Sequence, residues 1–476
     1  MQGERNAIVI LLKEVPISNQ QGKKEADKKV DRTVSLKWVQ LLPDQIKLDK
    51  QYMKVFKFGG ASISTFQRIK GVVDITRSEN TRPLLIVVSA LGKTTNALET
   101  VARHFFEEKT DEALSIFEQI KKQHINLSKY LLVKQHHAFE AQFNDICTEA
   151  EWMLHDKPVR TYDYYYDQIV CLGELFSSTL LYHTFIEEGI SASWIDVRDL
   201  LRTNDNFREG HIDMDISKAN TEKLLKPLLK DSGMVITQGF IGSTDENEST
   251  TLGREGSDYT AAVFAKLLQA TSLTIWKDVD AVLNADPRLF PEATPLPHLS
   301  YEEVVELAYY GAQIIHSKTM KPLYNARIPM YVKSFLNPSL PGTLIDNKRE
   351  PDMPPMFIKK SNQVMMTFRT RDLSFAGEEP IGHWYNMLQE LFMKPNLIQN
   401  GAVQLVAVFN DHPEKITELA IKAEQVFNVQ VQRGLSIFTI RHYTPAAITR
   451  FASDFEPVLM QKTSDTVQYV YVEPEK

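Results

Sequence analysis

The stretch Thr-Thr-Leu-Gly-Arg-Glu-Gly-Ser-Asp-Tyr-Thr at 250–260 sets a cation, two carboxylates and two glycines ahead of an apolar helical run that starts at Ala261. Glycine lets a backbone approach a ligand closely and adopt positive φ, as Gly253 and Gly256 would. Ser257 has the side chain of a helix N-cap, and the free N–H groups of a helix start attract anions. Arg254 offers a planar fork suited to a carboxylate. Asp258 could organise a lysine or a metal ion. A structural glycine turn would use the same residues, so this segment alone leaves both readings open.

A second constellation lies upstream, in Met-Lys-Val-Phe-Lys-Phe-Gly-Gly-Ala-Ser-Ile at 53–63. It begins as a strand and ends in a Gly59-Gly60 turn before a helix from about Thr65. A lysine at the end of a strand and paired glycines before a helix make a phosphate cradle, with Lys57 as the point charge on the phosphates. A tight turn has the same composition. Gly92-Lys93-Thr94 is close to a Walker A loop, but that loop needs a glycine where Val87 stands, so it is rejected.

Elements of two kinds must position these residues. Over 54–345 strand-like and helix-like patterns alternate: strands at 54–58, 84–89, 192–196, 234–237 and 272–276, and helices at 65–77 and 168–189. This is an α/β layered pattern with a largely parallel sheet. A mostly helical insert runs from about Asn96 to His155, and its His136-His137 pair reads as a solvated helix face. After Pro351, Pro354 and Pro355 the pattern becomes α+β. Strands at 364–370, 397–408, 429–442 and 458–472 are interleaved with helices at 381–393, 414–426 and 445–455. Residues 1–52 stand apart as a polar, charged stretch, expected to be a dispensable and flexible extension or a translation-start artefact.

Bulk properties narrow the class. At 476 residues the chain should hold two or three domains, and 43% hydrophobic residues suit a globular protein. A formal charge of −7 speaks against a nucleic-acid platform. Two cysteines, Cys147 and Cys171, exclude a disulfide framework and fit a reducing cytoplasm. No uninterrupted apolar run reaches the roughly 18–20 residues that span a bilayer.

Taken together the motifs resemble those of the aspartate kinases. Lys-Phe-Gly-Gly-Ala-Ser at 57–62, Leu-Gly-Glu at 172–174, Thr-Gln-Gly-Phe-Ile-Gly at 237–242 and Gly-Arg-Glu-Gly-Ser-Asp at 253–258 occur in that family's order. Asp-Val-Asp-Ala-Val at 278–282, Asp-Pro-Arg at 286–288 and Gly-Ala-Gln-Ile-Ile-His at 311–316 continue the match. The resemblance implies an amino-acid-kinase fold at 53–345, a layered α/β domain with a largely parallel sheet flanked by helices. It also implies two α+β ACT-like, ferredoxin-like regulatory modules at 356–476. It implies ATP-dependent phosphorylation of the L-aspartate β-carboxylate, at the entry to lysine, threonine and methionine synthesis. The partners it implies are ATP, L-aspartate, Mg²⁺ carried mainly by the nucleotide with no protein ligand assigned, and a lysine or threonine effector. A cytoplasmic homodimer, with neither nucleic acid nor membrane as partner, completes the expectation.

The resemblance also assigns roles. Lys57 bridges the phosphates and Asp258 orients it. Phe58, Gly59, Gly60, Lys277, Asp278 and Arg288 hold the nucleotide. Arg254 takes the substrate α-carboxylate, Glu174 its ammonium, and Ser89, Thr95 and Ser257 complete the acceptor pocket. Three positions depart from the family pattern. Glu255 replaces a usual glycine, where its side chain would repel anions or point to solvent. Leu283 stands where a tyrosine often lines the nucleotide pocket, and Ser317 stands where proline is usual. In addition, Gln313 occupies the place of a family lysine, and Lys277 is expected to supply that cation instead. The effector signature after the first ACT strand is replaced by Arg369-Thr-Arg-Asp-Leu-Ser-Phe-Ala-Gly-Glu. Two other readings compete: a different amino-acid kinase of the same fold, and a catalytically silent ACT-type sensor.

Overall fold

The apolar runs at the start of the chain form β1 (Lys54–Phe58) and β2 (Leu84–Val88), which pair in parallel with β2 wholly buried. β3 (Ser193–Trp194) and β4 (Met234–Gln238) extend the sheet beyond β2. β5 (Ile241–Ser243) and β6 (Ser249–Thr251) form a separate ribbon, and β7 (Ser272–Lys277) pairs with β1 on its other side. With β8 (His298–Ser300), β9 (Met330–Ser334) and β10 (Thr343–Asp346), the order is β3-β4-β2-β1-β7-β9-β10-β8. Every neighbouring pair is parallel except β9 with β10. Continuous apolar strands are what a parallel sheet covered on both faces requires.

This computed structural model describes residues 52–371, 378–452 and 456–473, and Gln51–Lys476 fall in one compact unit. The extension expected at 1–52 therefore lies, apart from Tyr52, outside the described residues.

The insert consists of three helices, Thr94–Phe106, Thr110–Leu131 and His136–His155. Phe117, Phe139, Phe143 and Phe176 bind them to the helix Leu172–Glu187 in one core. The single helix expected over 168–189 is two, Tyr162–Val170 and Leu172–Glu187, meeting at Cys171. Together they are long and apolar enough to cross a membrane by length and composition, yet 89% of the relevant window is buried inside the protein. The apolarity is that of a helix wrapped by core on all sides.

The C-terminal region forms one six-stranded antiparallel sheet of β11 (Met356–Thr370), β12 (Leu397–Asn400), β13 (Gln404–Asn410), β14 (Phe427–Arg441), β15 (Pro457–Lys462) and β16 (Thr466–Val472). Their order is β12-β13-β11-β14-β16-β15. β11 begins eight residues before the expected strand and runs through the segment after the prolines, because its first half pairs with the far end of β14. The helices Glu378–Glu390 and Pro413–Ala423 accompany one half of the sheet, and Pro445–Ala452 accompanies the other. The first ACT strand and the helices alternate as ACT-like modules do. Of the replaced effector segment at 369–378, residues 372–377 lie outside the described residues.

Candidate active site

Five adjacent strands point their carboxyl ends at one place. Gly59 follows β1, Ser89 follows β2, Phe240 follows β4, Lys277 ends β7 and Phe335 follows β9, and all five line a cavity of about 380 Å³. Ligands in open α/β sheets bind at the carboxyl ends of the strands. Gly60, Thr95, Glu174, Glu255, Gly256, Ser257, Asp258, Trp276 and Asp278 complete most of the lining.

At the floor, Lys57 Nζ sits 2.7 Å from Asp258 Oδ1, and both side chains are nearly buried. Lys277 Nζ lies 4.0 Å from the other oxygen of Asp258 and donates to the Ile314 carbonyl. Burial pushes the Asp258 carboxyl up, but the ammonium groups of Lys57 and Lys277 outweigh it and hold the group below its usual range. One fixed carboxylate thus organises two cations, and the trio keeps a positive charge in excess. Gln313 is exposed and does not line it, so among the described residues the cavity's lysines are Lys57 and Lys277.

Glu174, in the first turn of the helix Leu172–Glu187, is 2% exposed. Its Oε1 accepts from the Ala90 N–H at 3.1 Å, and its Oε2 is buried without a hydrogen-bond partner. Burial pushes its carboxyl up to about 8, against weaker opposing pulls from the Ala90 N–H and Lys57. A buried carboxyl with an unused oxygen at a cavity wall is a ready partner for an ammonium group. The chain comes this close because Gly60 packs against the Ala90 turn. A Cβ at Gly60 would stand 2.4 Å from the Ala90 carbonyl oxygen and 3.1 Å from that of Gly92.

Other candidates sit differently from the sequence expectation. Ser257 is not the N-cap. Glu255 is, two residues earlier and at φ +53, where a Gly256 N–H bond to the Gly253 carbonyl closes the turn. Ser257 remains in the cavity wall. Phe58 is core, its ring stacked on Trp276 at 5.9 Å, so only its backbone is near the site. Arg254 is exposed on the loop beside the cavity, outside its lining. Arg288 is displaced from the cavity altogether. Its guanidinium, 81% exposed, folds back on Asp286, and the same segment carries Phe290, stacked on Phe357 and Phe438 of the C-terminal sheet. Glu255 lines the cavity, but its Oε2 is tied down there, accepting from the His316 N–H at 2.6 Å. Sequence reasoning missed Phe240, Trp276 and Phe335 as wall residues. Their signal was position, at the end of a buried strand or just past it.

Comparison with known proteins matches residues 53–334 to the amino acid kinase family. Lysine-sensitive aspartokinase 3 of Escherichia coli is 35% identical over 81% of this chain and 86% of its own. The chloroplastic bifunctional aspartokinase/homoserine dehydrogenase 2 of Arabidopsis thaliana is 34% identical over 65% of this chain. The chain spans only about a third of the length of that relative and of its Zea mays counterpart. Among solved structures, E. coli aspartokinase III with aspartate and ADP (R-state) superposes with a TM-score of 0.74 at 26% identity, covering 88% of this chain and 96% of that one. The same enzyme with lysine and aspartate (T-state) gives 0.71, with the same identity and coverage.

Proposed function

Since the chain belongs to the amino acid kinase family, and within it to the aspartokinases, we propose that it is an aspartate kinase (EC 2.7.2.4). It would transfer the γ-phosphoryl group of ATP to the β-carboxylate of L-aspartate. The observation that carries this reading is the polarity of one cavity: two lysines held by Asp258 at one wall and the unpaired oxygen of Glu174 at another. An acceptor bearing both a carboxylate and an ammonium, next to a polyphosphate, matches that arrangement.

Attack of a carboxylate on a phosphoryl group needs no general base. It needs two anions brought together and the charge on the transferring oxygens stabilised. Lys57 and Lys277 supply cations on the phosphate side, and the backbone at Gly59 and Gly60 lets the phosphates lie close. Glu174 receives the acceptor's ammonium. Arg254, on the exposed loop, is the proposed partner of the α-carboxylate, and Ser89, Thr95 and Ser257 are proposed neutral donors around the acceptor. Among the described residues no three His, Cys, Asp or Glu side chains gather as a metal cage. In this reading Mg²⁺ would be carried by the nucleotide, and Asp278, an exposed carboxylate in the lining, would be available to it. When bound, that ion would neutralise phosphate charge.

A homodimer, a lysine or threonine effector at the ACT-like region, and residence in the cytoplasm belong to the same reading. Buried, un-ionised thiols at Cys147 and Cys171 suit a reducing compartment. The test is ADP release from Mg-ATP with L-aspartate, L-glutamate or no acceptor. Release that depends on aspartate supports the assignment. A preference for glutamate would place the chain with another amino-acid kinase, and no release with any acceptor would favour a silent sensor.

A further inference from the structure

The segment after the helix Tyr301–Tyr310 lies against the site and is stitched there from two sides. Lys277 Nζ donates to the Ile314 carbonyl, and Glu255 Oε2 accepts from the His316 N–H. Two residues on, Lys318 Nζ donates to the Leu252 carbonyl at 2.9 Å, in the loop that leads to Glu255. Glu255 makes its bond from left-handed backbone at φ +53, a conformation that strains any residue with a Cβ. A glycine there would be relaxed but could reach nothing.

Building on the proposed kinase reading, we infer that Glu255 is a positioning residue that clasps the 314–316 segment to the cavity mouth and thereby aims Lys277 at the bound phosphates. The ammonium of Lys277 has three protons. The Ile314 carbonyl takes one, Asp258 draws on the group at 4.0 Å, and the remainder faces the cavity. Released from Ile314, a side chain with four rotatable bonds would fold onto Asp258 and compete with Lys57 for its carboxylate. The negative charge of Glu255, which would oppose an anion if free, is engaged by a backbone N–H.

Three variants test this: Glu255→Gly, Glu255→Gln and Lys277→Met, with the double variant Glu255→Gly/Lys277→Met. Mg-ADP binding by calorimetry and hydrogen exchange at residues 314–317 are the readouts. Neither needs an acceptor, so an absence of aspartate-dependent turnover would count against the kinase reading and leave the clasp to be decided separately. Glu255→Gly should melt no lower than the parent, since it removes strain, yet bind Mg-ADP about tenfold more weakly and exchange the His316 amide at least tenfold faster. Glu255→Gln keeps a carbonyl oxygen for the His316 N–H and should recover binding to within about threefold. The double variant should be no weaker than Lys277→Met alone, because the two act as one unit. Parental affinity in Glu255→Gly, or additive losses in the double variant, would overturn the inference.

Discussion

Glu174 shows how much one side chain's surroundings decide. Its carboxyl is pushed up to about 8 by burial, so it holds a proton at neutral pH while the cavity is empty. An ammonium partner requires the carboxylate, so binding aspartate should release that proton. The apparent KM for aspartate should fall about tenfold per pH unit up to about 8 and level off above it. Glu174→Gln should abolish the slope and raise KM throughout. A KM independent of pH between 6.5 and 8.5 in the parent would remove Glu174 from the acceptor site. The sign for stability follows from the same shift. The folded protein keeps a proton that the unfolded chain gives up near 4.5. This group's contribution is therefore fully present below that pH and is lost as pH rises through about 8. At this scale the sequence showed which groups carry charge and which motifs hold them. It could not show that Arg288 folds onto Asp286, or that Glu255 reaches His316, because both depend on contacts made only after the chain has turned.

Secondary-structure elements were legible where burial is one-sided or complete. β1, β2, β4 and β7 read directly as apolar runs, and the insert as packed helices. The lengths of β11 and β14 were not, since a strand's end is set by its partner rather than by its own residues. Close approach between β1 and β2 gives a prediction here. In Gly60→Ala the new methyl would meet the Ala90 and Gly92 carbonyls, backbone atoms that cannot swing aside. Destabilisation of about 1–3 kcal/mol and at least a hundredfold loss of ADP release are expected. Gly71→Ala, inside the helix Phe66–Ser78 with nothing near the added methyl, is the control and should stabilise by about 0.5–1 kcal/mol. Urea unfolding and the ADP assay decide both. Equal behaviour of the two variants would show that the tight packing at Gly60 is unimportant.

Across the whole molecule, the junction between the two sheets includes contacts centred on one helix and the turn after it. Arg441 of β14 forks onto both oxygens of Glu303 in the helix Tyr301–Tyr310, with little of either side chain exposed. Lys360 of β11 lies against Gly311 and donates to the Tyr309 carbonyl. The same helix leads into the segment held by Glu255. Burial raises the Glu303 carboxyl, but His442 and Arg441 outweigh it and keep it below its usual range. Arg441→Met would leave that carboxylate with His442 alone, and breaking a buried pair in this way costs about 3–5 kcal/mol. Calorimetry of the variant should then show two transitions, the C-terminal sheet melting first and below the parent's. A single unshifted transition would mean the pair contributes nothing to the junction. None of this pairing has a local signature, since Lys360 and Tyr309 are 51 residues apart and Arg441 and Glu303 are 138 apart.

The registry of β11 with β14 has a consequence for how the chain is made. Thr370 pairs with Phe427 and Met365 with Gln432, while Met356 pairs with Arg441, so one half of the sheet is a continuous stretch nested inside the other. On the ribosome, the inner half from about 363 to 432 is finished as soon as it emerges. The outer half has its first strand early but waits for β16 to close. At roughly 5–20 residues per second that wait is on the order of seconds. During it the first residues of β11 lack their strand partner in β14 and are held only by earlier residues, as Phe357 is by the Asn284 carbonyl, so the order of assembly is written into the topology before any folding begins.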